Sequence, residues 1–519
     1  MSRDSENYLG YITSGSFGEG LTFKLSTYVN PENVRIGDFV VVEGKNMDYL
    51  CVVDDIRLKA TTDEVFFDPP VDENIDNGIE KLASSSFVYN EISIFPYLSL
   101  PKDPYLYGTT VKTMPTHFSK VRSAHSTDFQ RIIPQKSAFY IGTPLTSKEQ
   151  LYIDLEKLSM RNSGLFGITG SGKSFFARII FAGLIKNKIS TLLIFDMHNE
   201  HGRSIRSENG TSIDSLASLF LGSVKIFDVS TSNKDANNYI EISYEDVEPE
   251  DVLLVSDILK FSPKSDETLE IVSRKRKDWL KFLLDEYPNV SDKKSVADEL
   301  SVNLESLDAL SRHIQRLKNL KFLKDVKSND SIRGIIENLK NGISVVVQFS
   351  GDYKDDRLTY YFVSNIITRR IFNEFSELTE DMRKNRVVIA IEEAHKFLSK
   401  QYQSNNIFGR IAREMRKFNV TLFIIDQRPS EIDPEVLSQI GTRLVMELKD
   451  ENDINAVFQG ASHAKRLIKI LSTLEQKQAL VFGYAVPLPL PINVRSYDEE
   501  FIKEMKEEKH KRNAKDDIY

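Results

Sequence analysis

The chain contains a single cysteine, Cys51, and a single tryptophan in 519 residues. One thiol excludes an internal disulfide and a zinc site built from several cysteines, and it fits a reducing, cytoplasmic home. Long apolar runs are also missing. None approaches the ~20 residues needed to cross a bilayer, and no apolar leader follows the start, so the chain reads as neither secreted nor membrane-embedded. A basic excess is lacking too. The formal net charge is −8, so there is no blanket cationic surface for nucleic acid, and any DNA contact must be local, such as a ring of Lys and Arg lining a channel. What is present is ordinary soluble composition, 40% hydrophobic and 28% charged, at a length that implies two or three domains.

Against this background stands GITGSGKS, Gly167 to Ser174, which fits G-x-x-x-x-G-K-[ST] at every specified position. Apolar Leu165-Phe166 leads in, and a helical run from Phe175 to Phe181 leads out. That is the strand–loop–helix setting of a phosphate-binding loop. Gly167, Gly170 and Gly172 let backbone N–H groups converge on phosphate without Cβ clashes, with Thr169 and Ser171 between them. Phe175 lies in the first turn of a helix whose positive dipole end faces the anion. Lys173 is expected at the β- and γ-phosphates and Ser174 at Mg²⁺.

Residues 1–145 carry no phosphate chemistry. Tyr8–Ile12, Leu21–Leu25, Phe39–Val42 and Leu50–Val53 are short β-rich runs separated by turns, and they read as a small β-barrel or sandwich. Residues 146–247 begin an α/β pattern in which Thr191–Phe195 is a buried parallel strand and Val224–Phe227 another. Residues 248–340 turn helical, an insertion containing the basic run Arg274-Lys275-Arg276-Lys277, which reads as a solvated helix face. Residues 341–495 return to alternation. Strands are expected at Ile343–Phe349, Val387–Ile391 and Thr421–Asp426, with helices over Tyr360–Phe375 and Ile407–Lys417. Alternation of this kind implies a mostly parallel sheet. After Pro487-Leu488-Pro489-Leu490-Pro491 no regular ladder is expected. Residues 496–519 are a charged tail.

Glu392 and Glu393 directly follow an apolar strand. In ATPases with such a loop, an acid here serves the metal and a second carboxylate polarises the attacking water. Glu392 is assigned mainly to Mg²⁺ and Glu393 to water, with the roles exchangeable. Asp196 and Glu200 lie at the end of the strand that follows the phosphate-loop helix and are candidates for the nucleotide or its metal, because strand ends on this edge face the ligand crevice. His198, between them, reads as a loop hydrogen-bonding residue. Gln427 sits where a polar side chain senses the γ-phosphate. Arg410, Arg413 and Arg416 recur at threes along the helix before it.

The order GITGSGKS, FDMHNEH, VVIAIEEAHKFLSK and RIAREMRKFNVTLFIIDQRP resembles the HerA family of DNA translocases, within the FtsK–HerA branch of P-loop motors. The resemblance spans roughly residues 5–495. It implies an α/β, RecA-like P-loop ATPase core with a mostly parallel sheet, an N-terminal small barrel of the family's type and a helical insertion. It further implies a hexameric ring that hydrolyses ATP with Mg²⁺ between subunits and moves double-stranded DNA. By motif position it makes Arg416 a finger acting in trans on the neighbouring subunit and places Arg161 at the nucleotide. Met415 and Asn419 stand where the family has glycines, and Asp426 where a small polar residue is common. Such motors work with an effector, a NurA-like nuclease or a SIR2-type or other defence protein, expected to dock on the barrel. The competing reading is an ATP-gated ring scaffold that assembles and regulates an effector, with translocation secondary.

Overall fold

The structure, a computed structural model, describes residues 8–60, 88–133, 138–206, 212–231, 238–399 and 407–507. The last part of the charged tail, 508–519, lies outside the described residues. The chain divides into two compact units: Met1–Leu158, Leu165–Phe176 and Gly441–Ser496 form the first, and Ser159–Gly164, Ala177–Ile440 and Tyr497–Tyr519 the second.

In the first unit, β1 (Tyr8–Ser16), β2 (Gly20–Leu25), β3 (Phe39–Glu43), β4 (Met47–Ala60), β5 (Val88–Pro101), β6 (Thr109–Thr110) and β7 (Lys120–Ser123) form one antiparallel sheet. The order is β2-β1-β7-β3-β4-β5-β6, and a further pairing of β2 with β5 closes the first six into a barrel. Closure removes the exposed edges that a small sheet otherwise presents. The interior is filled by Phe23, Val40, Val42, Cys51, Val53, Ile92, Ile94 and Val121 among others. Burial pushes the Cys51 thiol well up, so the lone cysteine is an inert core residue.

The same unit holds an antiparallel run in the order Ile440–Val445, Gln478–Gly483, Leu490–Val494, Ala138–Pro144, Leu151–Asp154. Leu490–Val494 corrects the expectation that the proline-rich stretch ends the ladder, since Leu480 pairs with Pro491. Pairing with Ala138–Pro144 starts only at Ile492. Pro491 is therefore laddered on one side, where a missing N–H is tolerated.

The second unit is built on parallel strands in the order Asn238–Tyr239, Val224–Asp228, Ser344–Gln348, Thr191–Asp196, Val387–Glu392, Val420–Asp426. The last four are buried along their whole length, as expected of strands covered on both faces. Helix Arg357–Glu377 packs one flank and starts with Asp356 accepting from the Thr359 N–H.

The insertion is helical from Pro249–Leu253 to Ser331–Lys340. Leu307, Leu310 and Ile314 bury one stripe of the helix Leu304–Ile314, and Ser262 and Asn303 cap two of its helices. Buried Arg369 ties the insertion to helix Arg357–Glu377 through Asp251, at 2.6 Å. The basic run is occupied locally: Arg274 pairs with Glu270, and Arg276 with Asp278 and Glu286.

Candidate functional site: a phosphate loop and a carboxylate row

In the first unit, Gly167 to Gly172 form a tight loop and a helix starts at Lys173. Gly167, Gly170 and Gly172 have φ of 159°, 82° and 107°. The last two are left-handed values that favour glycine, and a Cβ at Gly167 would lie 2.9 Å from Ser171 Oγ. Lys173 Nζ donates to Ile168 O at 2.9 Å, and Ser171 Oγ donates to the same carbonyl at 2.8 Å. From outside the loop, Gln476 Nε2 donates to Gly170 O at 2.9 Å and Lys477 N to Ser171 O at 3.4 Å. Thr169 and Gly170 are exposed, Lys173 and Ser174 half-buried, and Phe175 exposed in the first helical turn.

In the second unit, Asp228, Gln348, Asp196, Glu392 and Asp426 are the last residues of five neighbouring parallel strands. The carboxyl ends of the sheet thus carry one polar row, on the edge where open α/β sheets bind ligands. The side chains of the acidic pair point to different neighbours. Glu392 Oε1 lies 3.5 Å from His201 Nε2, toward the Asp196 strand. Glu393 Oε1 accepts from Gln427 Nε2 at 2.9 Å, toward the strand Val420–Asp426. The chain turns between them, because Glu393 sits at φ 50°, ψ 43°. Tyr360 Oη donates to Glu392 O and accepts from Glu392 N, both at 3.1 Å, which fixes the strand end.

Burial pushes the Glu392 carboxyl up, with His201 working against it. Buried Arg178 feels Asp196, Glu200 and Glu392, although burial still pulls its pKa down. His198 sits 2.9 Å from Asp355; burial lowers its pKa, but Glu392 and Asp355 raise it by more. The Asp196 carboxylate accepts from the N–H groups of Glu200, His201 and Gly202 at 2.7–2.9 Å. It is fully buried and shapes the turn that presents Glu200 and His201.

Among residues expected from sequence, Asp196, Glu200, Glu392, Glu393 and Gln427 share this edge. Arg416 does not. It is exposed in the 3₁₀ turn Met415–Phe418, ahead of the strand Val420–Asp426 whose far end leads to Gln427. A strand of that length spans about 23 Å, so Arg416 is out of reach of Gln427 within the same chain. The α-helix stops at Glu414 and not at Lys417, which breaks the expected arginine face; Arg410 instead lies over the Phe372 ring at 4.2 Å. Asn419 has φ 61°. Its position requires a left-handed residue, and asparagine is the tolerated substitute for glycine there. Met415 is fully buried. Arg161 is exposed just before the strand Asn162–Phe166.

Sequence reasoning did not give roles to His201, Tyr360, Gln348 or His395. His201 and His395 lie inside the quoted motifs. Tyr360 had no local signal, being one apolar residue among many in a helix buried along much of its length. Among the described residues no cluster of three or more His, Cys, Asp or Glu is arranged for a metal, and no helix is long and apolar enough to cross a membrane.

A parallel sheet with a polar carboxyl edge, together with a glycine-shaped loop feeding a helix through Lys173, defines a P-loop ATPase. The family model for the central domain of helicase HerA matches residues 139–371, ending before the acidic pair. The DNA double-strand break repair helicases HerA of Saccharolobus solfataricus and Pyrococcus furiosus are similar. The former is 24% identical over 90% of this chain and 89% of its own, the latter 22% over 72% of each. VirB4 of Thermoanaerobacter pseudethanolicus aligns in structure over 71% of this chain and 99% of its own, at 14% identity and a TM-score of 0.46. The chain is thus similar to the HerA family of P-loop ATPases, through its central region and along most of the length of these relatives.

Proposed function

We propose that this protein is an ATP-dependent double-stranded DNA translocase, working as a hexameric ring and as the motor partner of a nuclease or other effector in DNA end processing or phage defence. The observation that carries the reading is the split acidic pair, with Glu392 on the His201 side and Glu393 on Gln427. Two neighbouring carboxylates with separate partners suit separate tasks. The relatives named as HerA helicases support the DNA substrate.

In this reading the backbone N–H groups of Gly167, Thr169, Gly170, Ser171, Gly172 and Phe175 cradle phosphate, and Lys173 exchanges the Ile168 carbonyl for phosphate oxygens. The residues suit Mg²⁺: Glu392 Oε2 is buried and meets no hydrogen-bond donor among the described residues, so a cation or its water supplies the missing partner. Ser174 and Glu392 would hold the ion, which neutralises charge on the phosphates. Glu393 takes the proton of the attacking water, and Gln427 orients both. Asp196 holds the turn that sets Glu200 and His201 near the nucleotide, and Arg161 contacts it. Arg416 serves the neighbouring subunit, consistent with its distance from Gln427 along its own strand. The barrel carries no catalytic candidate and docks the effector.

Lys173→Ala should abolish ATP turnover and leave the thermal unfolding midpoint of the apo protein unchanged, because the lysine's main partner is nucleotide. Near-normal hydrolysis by this variant overturns the site. DNA-stimulated hydrolysis and displacement of a DNA-bound block separate a translocase from a ring scaffold. Effector activity that survives loss of hydrolysis favours the scaffold.

A further inference from the structure

Asp426 ends the strand Val420–Asp426, and its carboxylate is fully buried. It accepts from three donors: His395 N at 2.6 Å, His395 Nδ1 at 3.0 Å and Arg428 N at 2.6 Å. These donors belong to two loops, one following the strand Val387–Glu392 and the other following Val420–Asp426. The strands are parallel neighbours with Glu392 paired to Ile425. One carboxylate therefore staples the two loops together at the carboxyl edge of the sheet.

The residues held by this staple are those with proposed chemistry. Glu393 is two positions before His395, and Gln427 lies between Asp426 and Arg428. The Gln427–Glu393 hydrogen bond at 2.9 Å bridges the same two loops. Two further carboxylates face the ring from the far side, Glu393 and Glu431, each 3.8 Å from His395 Nε2. The imidazole thus spans from Asp426 to Glu393, with both ring nitrogens directed at carboxylates.

We infer that Asp426 and His395 form a positioning pair that holds Glu393 and Gln427 in register for hydrolysis. The inference rests on the ATPase reading of Glu393 and Gln427. Neither Asp426 nor His395 touches substrate in this account; both act through the residues they hold. Asparagine at 426 keeps the shape but offers one acceptor oxygen and an NH₂ group. The NH₂ must then face an N–H donor, so at least one of the three bonds is lost. The loops then keep their fold and lose their mutual register.

The test is steady-state ATP hydrolysis by the full chain, with nucleotide-analogue binding and thermal unfolding measured on the same samples. Asp426→Asn should lower kcat about tenfold or more, since near-attack geometry is steeply sensitive to placement, and leave KM and analogue affinity within about twofold. His395→Gln, which keeps the backbone bond to Asp426, should show the same split with a smaller fall. In a Gln427→Ala background, Asp426→Asn should lower the residual turnover by much less than tenfold, because the contact it positions is already gone. An unchanged kcat in Asp426→Asn, a rise in KM with kcat held, or independent multiplication of the two effects overturns the pair's role. If Asp426→Asn shifts the melting midpoint, His395→Gln alone decides by the same criterion. Absence of turnover in the unmodified protein overturns the ATPase reading instead, and is distinguishable from every outcome above.

Discussion

Glu393 occupies a left-handed conformation at φ 50°, which costs a side-chain-bearing residue about 1–2 kcal/mol. Strain of this kind persists where surrounding structure imposes it, and here it directs the carboxylate at Gln427 while Glu392 keeps to the strand. A comparison of two truncations tests this. Glu393→Gly and Glu393→Ala both lose the Gln427 contact and both should lose turnover, but only glycine relieves the backbone. Denaturant unfolding should find Glu393→Gly the more stable by about 1 kcal/mol, whereas at an ordinary helical or strand position alanine is favoured by 0.5–1. Equal stabilities would mean that the left-handed turn is not strained. Asn419 illustrates the same rule, since a motif departure at that position still satisfies a left-handed site.

Among the elements, a single stretch from His463 to Lys477 runs from the barrel to the phosphate loop within the first unit. At its start the His463 ring packs 4.3 Å from Phe95 of β5. Arg466 meets Asp54 of β4 at 2.5 Å and lies over Phe95, and Lys469 pairs with Asp55 at 3.3 Å. At its end Gln476 and Lys477 hydrogen-bond the loop carbonyls. Arg466→Ala should destabilise this unit by about 2–3 kcal/mol in chemical denaturation, as for a half-buried, charged hydrogen bond. Lys469→Ala, from the more exposed pair, should cost under about 1. A reversed ranking would assign the attachment of this stretch to the outer pair.

In the second unit, Glu241 accepts from Lys324 Nζ, from the Ser328 side chain and backbone, and from Asn329 N, pinning the segment after Leu323–Lys324. The Lys324 and Ser328 bonds pull its pKa down from 4.5 to about 2. A depressed carboxyl contributes stability above its unfolded pKa and loses it as pH falls through the folded one. Unfolding followed from pH 5 to pH 2 should therefore show a smaller acid-induced loss in Glu241→Gln than in the unmodified chain. Identical profiles would remove Glu241 from the acid response.

For the whole molecule, the proposed ring makes Arg416 the residue that tests action between copies of the chain. It sits at the opposite end of its strand from Gln427, and its proposed role in hydrolysis is therefore one on a neighbouring copy. Arg416→Ala should reduce turnover by about 10³ or more, the range of such fingers, while ATP binding persists. Mixing it with Glu393→Gln subunits should restore part of the activity wherever an intact Glu393 meets an intact Arg416. Mixed rings confirmed by mass, with no recovery at any ratio, would remove the trans role. Salt dependence belongs to this scale as well. With a net charge of −8, the proposed DNA contact rests on a few basic residues, so affinity measured against salt should fall along a shallow log–log slope; a slope near that of a broad basic surface would overturn this.

Local chemistry carried the phosphate loop, the apolar strands and the acidic pair, because each depends on residues close in sequence: glycines with left-handed φ, runs buried on both faces, and acids at a strand end. The barrel's strands were legible for the same reason, and its closure was not, since that depends on β2 meeting β5 across most of the domain. Pro491 could join a ladder only because pairing on one side begins a residue later, which no local rule contains. The end of the arginine helix at Glu414 and the separation of Arg416 from Gln427 came from backbone geometry that helical spacing alone does not predict. The placement of Tyr360, His201 and His395 around the two glutamates was decided by sheet register. Parallel neighbours bring together strand ends far apart in the chain, and burial then obliges their polar groups to find partners across that distance.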